Sequence, residues 1–159
     1  MMRTLARTLA AAVGTGFYTG YFPIAPGTVG SAAGIALYAL LVKLGALSDS
    51  SLHAWMVTWA VIFLIGVPSA RHLETRFGPD NKRIVIDEIW GMMISLSFVP
   101  PSPAYVIAGF LLFRIFDIVK PFPGRRAERV RNGIGVMLDD GIAGLYACVI
   151  LHLARAVLG

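Results

Sequence analysis

The stretch GIGVMLDDGIAG, Gly133 to Gly144, sets two adjacent carboxylates, Asp139 and Asp140, between apolar runs. The chain has only nine acidic residues. Charge placed among apolar side chains is costly and asks for a use. Either Asp could cap the helix that follows. The other then lacks a structural task and is free to bind a cation. Carboxylate oxygens suit Mg2+, which keeps some waters and also contacts phosphate. A second acidic pair, Asp87 and Glu88, opens the apolar stretch IVIDEIWGMM. The helix dipole favours acidic groups there, which explains one carboxylate well and four poorly.

Two further segments offer phosphate ligands. In FRIFDIVKPFPGRR, Arg114, Asp117 and Lys120 recur three residues apart, along one stripe of a helix that Pro121 stops. A surface ion-pair ladder would use the same spacing, but these charges sit among Phe, Ile and Val. Charges at membrane depth usually mark function. In GTGFYTGYFPIAPGTVGSAAG, Gly14 to Gly34, glycines let the backbone approach a ligand, and Thr28 or Ser31 can N-cap the next helix. A helix start supplies N–H groups and partial positive charge for phosphate, although a plain turn and cap would read the same way.

Together, Asp87, Glu88, Asp117, Asp139 and Asp140 beside Arg114 and Lys120 are what metal-assisted phosphoryl transfer requires. The cation neutralises phosphate oxygens and activates a water, while Arg and Lys stabilise the phosphoryl charge. Other schemes are absent from the sequence. There is no Walker A loop, no C-x5-R thiol nucleophile, no D-x-D motif, and His53, His72 and His152 fit no zinc-hydrolase spacing.

The elements that must position these groups are greasy helices. Apolar residues make up 57% of the 159 and charged residues 14%, with a mean hydropathy of +0.72. Soluble domains average about 45–50% and about 25%. The net charge of +5 suits an anionic partner. Basic residues are not joined to a polar recognition element, so nucleic acid is not expected. Near-uncharged blocks run Ser31–Leu47, Ser50–Ala70, Ile89–Phe113 (broken by PPSP) and Gly141–Leu158. With no β-type alternation, they predict an all-α fold: a multihelical bundle of about five apolar helices with short capping helices or turns, embedded in a membrane. Two of the helices are expected over Asp87–Val99 and Ala104–Lys120. The basic N-terminal stretch predicts a short amphipathic, interfacial start. If five helices alternate, one membrane side holds every Lys and Arg except Lys43 and Arg155, and every acid except Asp49. That bias marks the cytoplasmic side and gathers all the candidate groups there. A soluble helical domain is the competing reading.

APGTVGS, IDEIWGM, FRIFDIVKPFP and GIGVMLDDGIAG occur in that order across nearly the whole chain. In these segments it resembles the bacterial phosphatidylglycerophosphatase A family. The resemblance implies a single domain over residues 1–159 and a Mg2+-dependent phosphatase of the inner membrane, its site facing the cytoplasm. The implied substrate is phosphatidylglycerophosphate, converted to phosphatidylglycerol. In the expected arrangement the five carboxylates hold Mg2+, one of them able to act as base. Arg114 and Lys120 hold the phosphate with Thr28, Ser31 and nearby backbone N–H groups. A carboxylate-lined ion-binding or transport protein and a soluble phosphohydrolase are the alternatives.

Overall fold

A computed structural model describes residues 2–79 and 81–158, without the side chains of Met2, Arg3 and Leu158. Arg3 and Asp80, both counted on the basic side above, therefore lie outside the described side chains. The described residues form seven α-helices and no strand: α1 Met2–Gly14, α2 Pro26–Lys43, α3 Leu52–Phe77, α4 Ile86–Ser95, α5 Pro103–Val119, α6 Gly124–Ala127 and α7 Ile134–Leu158. A 3-10 turn at Thr19–Tyr21 leads into α2. The five expected apolar helices are α2, α3, α4, α5 and α7, and α6 is a short cap.

The ten-residue α4 is the hub. It packs against α7, α2, α3 and α5. From Ile84 to Ser97 every residue except Glu88 and Trp90 is buried. A helix apolar on all sides is stable only when enclosed in this way. Its closest partner is α7. A Cβ on Gly144 would strike the carbonyl oxygen of Gly91, and a Cβ on Gly91 would lie 2.7 Å from the Asp140 carbonyl oxygen. Glycine at both positions lets the two backbones meet. That contact carries Asp140 up to the acidic first turn of α4. Trp55, Trp59, Tyr38 and Phe98 pack as an aromatic cluster at the other end of the bundle.

Two helix starts differ from expectation. Asp139 and Asp140 do not cap a helix, because α7 begins earlier, at Ile134. Asn132 and Gly133 turn the chain just before it, with φ of 69° and 75°. The Gly133 N–H donates to Glu74 Oε2 at 2.8 Å, so the carboxylate serving this turn comes from α3. Likewise neither Thr28 nor Ser31 caps α2. That helix begins at Pro26, after Ala25 at φ 50° and without a side-chain cap. Pro has the right φ for a first helical turn and no N–H to leave unpaired.

Three helices, α2, α3 and α7, are long and apolar enough to cross a membrane. Outward-facing stripes recur at helical spacing: Val57, Val61 and Leu64 on α3; Ile107, Leu111, Ile115 and Ile118 on α5; Leu145, Val149, Leu153 and Val157 on α7. Exposed apolar area of this extent is rare on soluble monomers. Asp49 and Arg155, the acid and one of the two bases set apart on the far side by sequence, approach to 3.7 Å there.

Candidate active site

Four helix ends meet at one end of the bundle: the starts of α2, α4 and α7 and the finish of α5. Asp87 and Glu88 occupy the first turn of α4, and the Glu88 N–H donates to Asp87 Oδ1 at 3.0 Å. Asp140 approaches them from α7. One carboxylate oxygen from each of Asp87, Glu88 and Asp140 lies within 4.8 Å of the others. Asp117 reaches in from α5 and lies close to Asp140.

Asp139 belongs to a different layer. Successive residues of a helix point about 100° apart. Asp139 therefore points to one side of the trio, where Lys120 Nζ lies 2.6 Å from its Oδ2. Lys120 follows the last turn of α5 in a left-handed conformation, φ 49°, and its ammonium is also 3.1 Å from Glu128 Oε1. Arg114 is paired with Asp117 at 2.7 Å. The two cations thus serve the outer carboxylates. Among the described residues no basic side chain forms an ion pair with Asp87, Glu88 or Asp140.

This inner trio is electrostatically incomplete. Asp87 and Asp140 are only 8% and 4% exposed, and Glu88 Oε2 is buried without a hydrogen-bond partner. Burial raises the Asp87 carboxyl above the usual range. It raises Glu88 further, with the neighbouring charge of Asp87 adding to the effect. Three clustered carboxyl groups must hold protons or a cation. The donors are all oxygen. Cations ligated by oxygen at about 2.1–2.6 Å set opposite ligands about 4–5 Å apart, so the trio fits a hard divalent ion.

Gly27 lets two side chains of the site come close to α2. A Cβ there would strike Glu88 Oε1 and lie 3.2 Å from Arg114 Nη1. A guanidinium so placed beside the carboxylates suits a phosphate bridging metal and arginine. Ser31 is fully buried. Its hydroxyl donates to the Gly27 carbonyl at 2.9 Å and accepts from Arg114 Nη1 at 3.5 Å. Thr28 has an exposed side chain. The Thr28 and Val29 amides already donate to Ala25 O at 3.0 and 3.2 Å, so they are not open to a ligand. The five carboxylates, Ser31, Arg114 and Lys120 are thus gathered here. Gly27 and Glu128 were not singled out. Glu128 sits in a basic loop that reads as solvated, and Gly27 is one of several glycines in its segment.

The comparison with known families decides what this arrangement belongs to. The model of the family described as phosphatidylglycerophosphatase A matches residues 12–155. The chain belongs to the phosphatidylglycerophosphatase A family. Its relatives include proteins named phosphatidylglycerophosphatase A from Haemophilus influenzae, 37% identical over 86% of this chain and 82% of that one, and from Escherichia coli, 38% identical over 86% and 78%. A Bacteroides thetaiotaomicron relative is 43% identical over 92% of this chain and 94% of its own; its name proposes a phosphatidylinositol-3-phosphatase. No solved structure matches the chain. The segment matched by the family contains every carboxylate, Arg114 and Lys120 of the site.

Proposed function

We propose that the chain is a single-domain membrane phosphatase that hydrolyses phosphatidylglycerophosphate to phosphatidylglycerol. The observation that carries this reading is the largely buried trio Asp87, Glu88 and Asp140, which lacks a protein cation and has Arg114 near Glu88 in a member of this family. The outward apolar stripes support residence in a bilayer. The gathering of basic loops at the site end supports a cytoplasm-facing site at the bacterial inner membrane.

Asp87, Glu88 and Asp140 would hold Mg2+, with Asp117 beside Asp140. Bound there, Mg2+ supplies charge neutralisation at the phosphoryl oxygens and lowers the pKa of the attacking water. Arg114 is held by Asp117 and Ser31 with its guanidinium beside Gly27, where it would bind phosphate oxygens. Lys120, held by Asp139 and Glu128, supplies a second positive charge on the α5–α7 side. Asp139 Oδ1 is buried without a partner and is the oxygen left to take the proton of the attacking water. Packing of α4 against its neighbours keeps bulk water from the trio, which strengthens each of these interactions.

A second headgroup, phosphatidylinositol 3-phosphate, is favoured by the name of the 43% identical relative. The test is phosphate release from detergent-solubilised protein given phosphatidylglycerophosphate, phosphatidylinositol 3-phosphate or phosphatidic acid, with Mg2+ or with chelator. The expected result is Mg2+-dependent release, fastest from phosphatidylglycerophosphate. Faster release from the inositol lipid would transfer the assignment to that headgroup. Equal release with chelator present would overturn the metal-assisted mechanism.

A further inference from the structure

A second basic site lies away from the carboxylates. α1 packs against α3, and the two helices line a groove of about 590 Å3 with the turn after α1. Arg7 of α1, and His72, Thr75 and Arg76 of α3, line it together with Tyr18 and Tyr21. Among the described residues no acidic side chain lines it. The nearest acid of this face of α3 in sequence, Glu74, is turned to the Gly133 amide on the other side of the helix. Neither Arg7 nor Arg76 forms an ion pair among the described residues. Arg76 is braced instead by its own neighbour, its guanidinium 5.1 Å from the centre of the Phe77 ring.

We propose that this groove binds the headgroup phosphate of an anionic phospholipid that is not being hydrolysed. Two unneutralised guanidinium groups flanked by hydroxyls form a phosphate ligand set, because arginine pairs with phosphate oxygens two at a time. Basic pockets between helices at the cytoplasmic surface take anionic headgroups in this way. The apolar flank argues for a lipid over a free ion. Thr4, Arg7, Thr8 and Ala11 face the groove at helical spacing, whereas Leu5 and Leu9 of the same helix are 61% and 56% exposed. Phe17, 79% exposed, continues that apolar edge. A headgroup in the groove would leave its acyl chains beside these side chains. The inference does not depend on which ester the carboxylate site hydrolyses.

The test is native mass spectrometry of the full chain in detergent micelles with added phosphatidylglycerol or phosphatidylcholine. Wild type is expected to retain phosphatidylglycerol over phosphatidylcholine. R7A/R76A is expected to retain it about tenfold more weakly, the loss of charged hydrogen bonds. Hydrolysis of phosphatidylglycerophosphate in phosphatidylcholine micelles should be unchanged in that variant, which separates this site from the carboxylate site. If R7A/R76A fails to fold, the single exposed reversal R76E gives the same readout. Equal retention by variant and wild type, equal retention of the two lipids, or displacement of phosphatidylglycerol by equimolar inorganic phosphate would overturn the proposal.

Discussion

Lys120 Nζ lies 2.6 Å from Asp139 Oδ2, whereas Asp140, the next residue along α7, faces Asp87 and Glu88. Adjacent residues of one acidic pair therefore serve different layers of the site. Asp140 belongs to a trio that lacks a protein cation, and Asp139 to an ion pair at its edge.

The split predicts different phenotypes for two isosteric changes. Asp140→Asn should lower Mg2+ affinity and hydrolysis together. Asp139→Asn should keep Mg2+ affinity within a few fold of wild type while turnover falls about 100-fold or more, as expected for loss of a proton acceptor. Calorimetric Mg2+ titration beside phosphate release checks both. Loss of metal binding in Asp139→Asn would place that residue among the ligands instead.

Arg114→Lys keeps the charge and loses the fork. Lysine cannot hold Asp117, Ser31 and a phosphate oxygen in one plane. The expected outcome is a KM raised about tenfold, equivalent to about 1.4 kcal/mol, with the thermal midpoint little changed. Steady-state kinetics on phosphatidylglycerophosphate decide it, and an unaltered KM would remove Arg114 from substrate binding.

Gly27→Ala tests the close approach of Glu88 and Arg114 to α2. Its methyl group would meet Glu88 Oε1 and crowd Arg114 from 3.2 Å. Both side-chain ends would have to shift from the site, so Mg2+ affinity and turnover should both fall, with helix content by circular dichroism preserved. Full activity would show that the positions of Glu88 and Arg114 against α2 are not needed.

The raised carboxyl groups of Asp87 and Glu88 set the pH response. Protonated groups must release protons before they bind a cation, so Mg2+ affinity should climb as pH rises through their elevated range. Without metal the sign is opposite for stability. A carboxyl with a raised folded-state pKa contributes stability at low pH that is lost as pH rises, so the metal-free protein should melt lower at alkaline pH and Mg2+ should restore it. Calorimetry and melting curves between acid and alkaline buffers measure both slopes.

The convergence of acidic groups was legible in the sequence because charge inside apolar runs is expensive and composition left little else to explain it. The side of the bundle was legible too, from where Lys and Arg fall. The inner and outer layers were not. They depend on the 100° turn between Asp139 and Asp140 and on the glycine contact between Gly91 and Gly144, which brings two distant segments together. The start of α7 was also hidden, since Gly133 and Gly135 read locally as loop while Glu74, far along the chain, satisfies the turn. α4 reads as a short span by hydropathy, yet its residues are apolar because four other helices enclose it.

Mg2+ binding to the metal-free full-length protein in detergent, compared with Asp87→Asn/Asp140→Asn, tests the central claim most directly. The account predicts a saturable site in the wild type that disappears in the double variant. Undiminished binding by a folded double variant would contradict it.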